Sequence, residues 1–347
     1  MKRNPLGQSG ITVSALSLGT MTFGTQTDLE DAHRQMEMAL EAGIDFWDTA
    51  EMYPVNPVAA KHTGRSEEFI GAWFAKTGRR SDAILATKHS GEGLKIWRDG
   101  APISSQTIPQ AIEGSLKRLK TDYIDLYQFH WPNRGSYMFR QNWGFDPSGQ
   151  NKADTLAHIE DALEALQREV DKGRIRAFGL SNESAWGTAQ WLRASEDKGL
   201  PRVASIQNEY SMMCRLFDTD LAELCVNEDV GLMAYSPLAT GYLTGKYRNG
   251  AVPDGSRMSL SAGLGGRVSP RAPDAVEAYW AIAQKHGLDP IHMALAWCMQ
   301  RPFTMSAIFG ATTSDQLAHI IAGKDLTLSA EVLRDIDAAH RAHPMPY

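Results

Sequence analysis

Cysteine is scarce: three in 347 residues, Cys214, Cys225 and Cys298, with no pair at CxxC spacing. Each lies in a helix-like or apolar context, so they read as reduced core thiols rather than a disulfide framework. Basic clusters are missing too. The net charge is −6 and no Lys/Arg block occurs, which excludes the concentrated positive surface that a nucleic-acid partner requires. No apolar run is long enough to span a bilayer, and the basic start MKRNPLGQSG has no apolar stretch behind it as a secretory signal would. The expectation is a cytoplasmic protein with no membrane or nucleic-acid partner. No GxGxxG joins a strand to a helix, and the segment 241–246 lacks the Ser/Thr of a P-loop, so neither of these nucleotide-binding devices is available.

What is present is 43% apolar and 22% charged residues, an ordinary globular balance. Short β-rich runs at residues 15–18, 44–47, 83–86, 123–129, 177–180, 204–206, 231–234 and 306–309 are followed by stretches of helical periodicity. These cover 29–41, 66–75, 107–119, 156–172, 184–198, 219–227, 274–286 and 314–321. Eight βα units close a barrel, so the expected fold is α/β, a TIM-like (β/α)8 barrel with residues 1–347 as one domain. Residues 3–6 and 11–13 flank Gly7-Gln8-Ser9-Gly10 and predict an N-terminal β-hairpin across the closed bottom. Three connections are long, 89–106, 131–154 and 236–273, and βα loops line the face where such barrels hold their chemistry.

Asp48, Lys88 and His130 end consecutive strands although 40 and 42 residues separate them, and Tyr53 lies five beyond Asp48. The short loop from Asp48 to Tyr53 can turn the phenol back over the barrel mouth. Such a set suits carbonyl reduction, in which hydride reaches the carbon and a proton must reach the oxygen. Tyr53 is the expected proton donor. Its phenol, ordinarily near ~10, should be lowered by the Lys88 ammonium, with Asp48 as counter-charge and His130 orienting the substrate oxygen. Singly, these residues also read as an ion pair, a loop anchor and an interior histidine; their placement at successive strand ends is what points to function. A metal-dependent barrel hydrolase would need several His and acidic ligands there. Only His130 and Asp48 qualify, with Lys88 between them, so no metal is expected.

Phe46-Trp47-Asp48-Thr49-Ala50-Glu51-Met52-Tyr53, Ala86-Thr87-Lys88 and Tyr127-Gln128-Phe129-His130-Trp131-Pro132 resemble the catalytic segments of the aldo-keto reductase family. Gly179-Leu180-Ser181-Asn182-Glu183, Ile206-Gln207-Asn208-Glu209-Tyr210-Ser211 and Leu243-Thr244-Gly245-Lys246-Tyr247, with the long loop after His130, resemble its Tas-type branch. The resemblance implies NADP(H)-dependent reduction of small-molecule carbonyl substrates, aldehydes and ketones. Asp48, Tyr53, Lys88 and His130 would be catalytic, and Tyr53, His130 and Trp131 would touch substrate. It further implies that Ser181, Asn182 and Gln207 hold the nicotinamide carboxamide and that Tyr235 stacks under the ring. Gly19, Thr20, Met21 and Asp48 join the same cofactor-binding set. Ser236, Pro237, Leu238, Gly241, Leu243 and Lys246 correspond to a strap over the pyrophosphate, Arg257 to the arginine for the 2′-phosphate, and Gly310, Thr312 and Gln316 to the last cofactor segment.

His319 and Ile320 stand where the family often has Glu and Asn, a departure at the adenine end. Channel-associated members of the superfamily imply an alternative, a nicotinamide-binding redox-sensing subunit with vestigial catalysis. Trp97, Tyr137, Phe139, Trp143 and Phe145, in the long loops, are candidates either for an apolar substrate wall or for pins that hold the loops to the barrel.

Overall fold

The computed structural model describes residues 1–347. Strands β1 (Arg3–Pro5) and β2 (Thr12–Ser14) form an antiparallel hairpin. Eight parallel strands then close a barrel: β3 (Leu16–Gly19), β4 (Phe46–Asp48), β5 (Ile84–His89), β6 (Ile124–Phe129), β7 (Ile175–Ser181), β8 (Val203–Glu209), β9 (Gly231–Tyr235) and β10 (Thr304–Gly310), with β10 paired to both β3 and β9. All eight expected runs fall on these strands. Several strands reach further at their C-terminal ends, to His89 and Glu209, because the ladder continues through polar residues that periodicity reads as loop.

The helices α1 (Leu29–Glu41), α2 (Arg65–Thr77), α3 (Thr107–Leu119), α4 (Lys152–Asp171), α5 (Ala185–Lys198) and α6 (Leu221–Asn227) follow the first six barrel strands. After β9 come a single turn, α7 (Arg257–Leu260), then α8 (Ala272–Lys285) and α9 (Pro290–Met299); α10 (Ser314–Ala322) and α11 (Ala330–Ala342) end the chain. Helices α9 and α11 have no counterpart in the sequence reading. In α9 every residue from Met293 to Met299 is buried, and a helix buried all round has no polar stripe to reveal its period. The other, α11, is amphipathic, with Val332, Ile336 and Ala339 buried and Ser329 capping Val332 N. It lies beyond the eighth βα unit and so outside the repeat used to count elements.

Two apolar layers explain the architecture. The outer one packs alternate strand residues, such as Trp47, Leu85, Tyr127 and Phe178, under the helices. The inner one fills the barrel's lower half with Phe46, Ala86, Leu126 and Met233 and is plugged from below by the hairpin residues Leu6, Ile11 and Val13. Side chains two apart share a face of a strand, so the next inward residues on β4, β5, β6 and β9 are Asp48, Lys88, Gln128 and Tyr235. The interior thus changes from apolar to polar within one pleat, and the polar half faces the open mouth. All three cysteines are buried and unpaired, and burial pushes the Cys225 and Cys298 thiols up to about 12.

Close helix packing supports this wall. A Cβ on Gly71 of α2 would lie 2.2 Å from the Arg118 carbonyl oxygen of α3. That atom is backbone and cannot move alone. Gly71→Ala should therefore lower stability by about 1–3 kcal/mol, read as a lower urea midpoint at unchanged m-value; a midpoint equal to that of the unaltered protein would show that α2 and α3 can separate freely.

Candidate active site

Asp48 and Lys88 form an ion pair, Nζ to Oδ2 2.7 Å, with Lys88 fully buried and Asp48 nearly so. Lys88 also donates to the Thr49 carbonyl at 2.7 Å. The second carboxylate oxygen, Oδ1, accepts from Gln207 Nε2 at 2.7 Å and Gln128 Nε2 at 3.3 Å. Charges this deep are tolerable only when paired and hydrogen-bonded. Here two strand-borne amides and a loop carbonyl complete the set.

Tyr53 and His130 stand on this pair. The Lys88 ammonium lies 4.8 Å from the Tyr53 ring centre, and the Tyr53 and His130 rings meet edge to face at 5.7 Å. His130 is fixed by its own N–H to the His89 carbonyl, 2.9 Å, and its carbonyl accepts from Asn182 Nδ2 at 2.8 Å. Its Nδ1 is buried with no partner. Burial, reinforced by the Lys88 charge, holds the imidazole well below its ordinary value, so it is neutral near pH 7. The four sequence-selected residues are therefore neighbours.

One expectation is reversed. Burial pushes the Tyr53 phenol up and the Asp48 carboxylate adds to this, with only Arg257 opposing. Lys88 does not lower it: its hydrogen bonds go to Asp48 and Thr49, and Asp48 cancels its field. Burial in turn depresses Lys88 itself, against the pull of Asp48.

Around this centre, Ser181 Oγ donates to the Gln207 carbonyl at 2.7 Å, and Asn182, in the left-handed region at φ 54°, accepts from the Tyr235 hydroxyl at 2.8 Å. Gly19 ends β3, and Thr20 donates from both N and Oγ1 to the Asp48 carbonyl at 3.0 Å; Met21, next in the chain, is half-buried. Ser236, Pro237, Leu238, Gly241 and Leu243 follow β9 as a tight series of turns, with Lys246 exposed beyond them. Thr312 N and Oγ1 both donate to Gln316 Oε1, at 2.9 and 3.1 Å. At Gly310 a Cβ would meet nothing within 4 Å, so this strand end opens onto free space that a phosphate can approach.

Arg257 is half-buried, its Nε has no partner, and burial together with Arg267 lowers it to about 10. Its charge opposes the rise of the Tyr53 phenol. Nearby, Arg140 Nη1 and Arg267 Nε both donate to the single carboxylate of Glu209, at 2.8 and 2.7 Å. The Tyr347 hydroxyl reaches it too, at 3.3 Å. Arg140 and Arg267 thus share one carboxylate while Arg257 pairs with none, and this cluster carries an excess of positive charge suited to an anionic ligand.

The loop aromatics divide. Trp131 stacks obliquely beside His130 at 5.1 Å and donates to the Glu92 carbonyl at 3.0 Å, with Phe139 against its edge at 6.2 Å. Trp97 instead lies between the guanidiniums of Arg98 and Arg118, 5.7 and 5.2 Å from its ring, and so pins its loop. Trp143 is 59% exposed, and Tyr137 packs on Phe145. Sequence reasoning missed Gln128, the Glu209 cluster and the partners of Glu51, the Ser90 N–H and Arg98. Their hydrogen-bond partners are far away in the chain, which no local pattern displays. Groups of three His and carboxylate side chains, Asp289–His292–His319 and His286–Glu331–Asp335, lie on the outer helices.

Two buried imidazoles give a pH signature. His130 is depressed as above, and His89 is lowered to about 4, mainly by burial. Both bind protons more readily in the unfolded chain, so stability should fall as pH drops below about 6.5, with His89 alone contributing roughly 3 kcal/mol by pH 4. Urea unfolding across this window tests it, and a flat profile would contradict neutral, buried rings.

The aldo/keto reductase family profile matches residues 15–341. The chain is 42% identical to Protein tas of Escherichia coli over 100% of its own length and 99% of that protein. It is 32% identical to an uncharacterized oxidoreductase, YrpG, of Bacillus subtilis, covering 96% and 94% of the two chains. A probable voltage-gated potassium channel subunit beta of Arabidopsis thaliana is 31% identical, covering 99% and 98%. A closed parallel barrel with an acid, an ammonium, a phenol and an imidazole at its mouth, matched along nearly its whole length, is thus an oxidoreductase belonging to the aldo/keto reductase family.

Proposed function

We propose that residues 1–347 act as one barrel domain that reduces small aldehydes and ketones with NADPH, Tyr53 supplying the proton. The observation that carries this is the meeting of Tyr53, Lys88 and His130 at 4.8 and 5.7 Å over the buried Asp48 carboxylate, with His130 Nδ1 buried and unpartnered. Bound nicotinamide would supply the hydride to the carbonyl carbon. His130, neutral, offers a hydrogen bond that fixes the carbonyl oxygen beside the phenol. A phenol pushed up by burial keeps its proton while the substrate is a carbonyl. It yields that proton only to the far more basic alkoxide that forms as hydride arrives. Lys88, locked beneath the ring by Asp48, fixes where that ring sits.

The residues fit the cofactor assigned by resemblance. Ser181, Asn182 and Gln207 are gathered by mutual hydrogen bonds next to Tyr235, where they can orient a carboxamide. Lys246, Arg257 and the open backbone at Gly310 provide charge and access for phosphates. No helix is long and apolar enough to cross a membrane. Similarity to a probable channel subunit favours a second reading, a redox-sensing subunit with vestigial catalysis. The two separate on whether NADPH absorbance falls when a reactive aromatic aldehyde is added.

Tyr53→Phe should cut kcat by roughly 10²–10⁴-fold while the Kd for NADPH stays within about threefold; unchanged turnover would remove Tyr53 as donor. Arg257→Ala should raise the KM for NADPH by about tenfold or more and leave that for NADH nearly unchanged. Equal use of both cofactors by the unaltered protein would end the NADPH preference.

A further inference from the structure

Tyr53 reaches the site on a loop only five residues past β4, and the loop's placement depends on a side chain outside the catalytic set. Glu51 is fully buried, an expensive position for a carboxylate. Its Oε1 accepts the Ser90 backbone N–H at 2.6 Å, one residue beyond β5, and the Arg98 guanidinium grips both oxygens, with Nη1 to Oε2 at 2.7 Å. Burial would raise the Glu51 carboxyl, but Arg98, His89 and the Ser90 N–H together outweigh it and hold the group below its usual value. His89, the neighbour of Lys88, completes the arrangement: its Nδ1 is 2.6 Å from the Ser90 carbonyl and 3.1 Å from Arg98 Nη2. Nε2 meets Thr107 Oγ1 at 2.9 Å, at the start of α3. Arg98 itself is held against Trp97.

Glu51 is the only side chain between Asp48 and Tyr53 that ties this loop to β5 and to the long loop after it. The backbone adds two bonds on the same seam, Thr49 N to the Ala86 carbonyl at 2.9 Å and Glu51 N to the Lys88 carbonyl at 3.3 Å. We propose that Glu51, clamped by Arg98, is a positioning residue for the proton donor: it registers the Tyr53 loop against β5 so that the phenol stays over Lys88 and beside His130. This inference rests on Tyr53 being the donor.

The test compares Glu51→Gln and Arg98→Lys with Tyr53→Phe in the full-length protein. Glu51→Gln loses the doubly charged grip and Arg98→Lys loses the planar fork. Both should lower kcat by about ten- to a hundredfold, the cost of a misplacement near 1 Å, with the Kd for NADPH within about threefold. The solvent deuterium isotope effect on kcat should rise, because a displaced donor makes proton transfer slower. A residue with a merely structural role would reduce the amount of active protein and leave kcat per active site and the isotope effect alone, and that result overturns the proposal. If Glu51→Gln does not fold, Arg98→Lys decides by the same two readouts. Wild-type kcat in both variants beside an inactive Tyr53→Phe sinks only this inference, whereas an active Tyr53→Phe sinks the reading beneath it.

Discussion

The buried Asp48–Lys88 pair is the constraint around which the mouth of the barrel is organised. Two opposite charges held at 2.7 Å and cut off from water must have every remaining lone pair and proton answered, or the desolvation cost would favour neutralising them. Gln207, Gln128 and the Thr49 carbonyl give those answers. They come from β8, β6 and the loop after β4, so the pair locks three sides of the barrel to one another. The ring of Tyr53 and the imidazole of His130 then take their electrostatic character from it. Lys88 helps to keep His130 neutral, while Asp48 helps to keep Tyr53 protonated.

Outside this centre, the long loops are held by further ion pairs rather than by apolar packing alone. Glu51 joins the loop after β4 to that after β5 through Arg98. Glu183 binds Arg134 of the loop after β6. Glu209 gathers Arg140, Arg267 and Tyr347 from three separate segments. Each carboxylate stands at or just past a rigid strand end and each arginine on a loop, a division that lets a stiff scaffold set the position of a mobile cover. It also leaves Arg257 without an acidic partner.

Much of this was legible in the chain. Eight apolar runs and their following helices specified a barrel, because strand and helix periods are local and survive in one dimension. The strand-end rule then picked Asp48, Lys88 and His130, and the short loop added Tyr53. Helix α9 was hidden because burial on every side removes its polar stripe, and α11 because it follows the last repeat. Trp97 was open in sequence to being a pocket wall or a loop pin and is a loop pin in space, since an aromatic residue carries no mark of the direction it faces.

The order of the eight barrel strands, the polar residues at their ends and the chemical types of the four groups at the mouth were written in the sequence, through spacing and side-chain chemistry. Their electrostatic state was not. Whether the lysine lowers the phenol depends on where its N–H bonds point, and its two hydrogen bonds go to Asp48 and Thr49. That direction, like the partnering of Glu51 with Arg98 47 residues away, is set only when distant segments are packed into one low-dielectric volume, where a shift of a few ångströms changes which charge is felt.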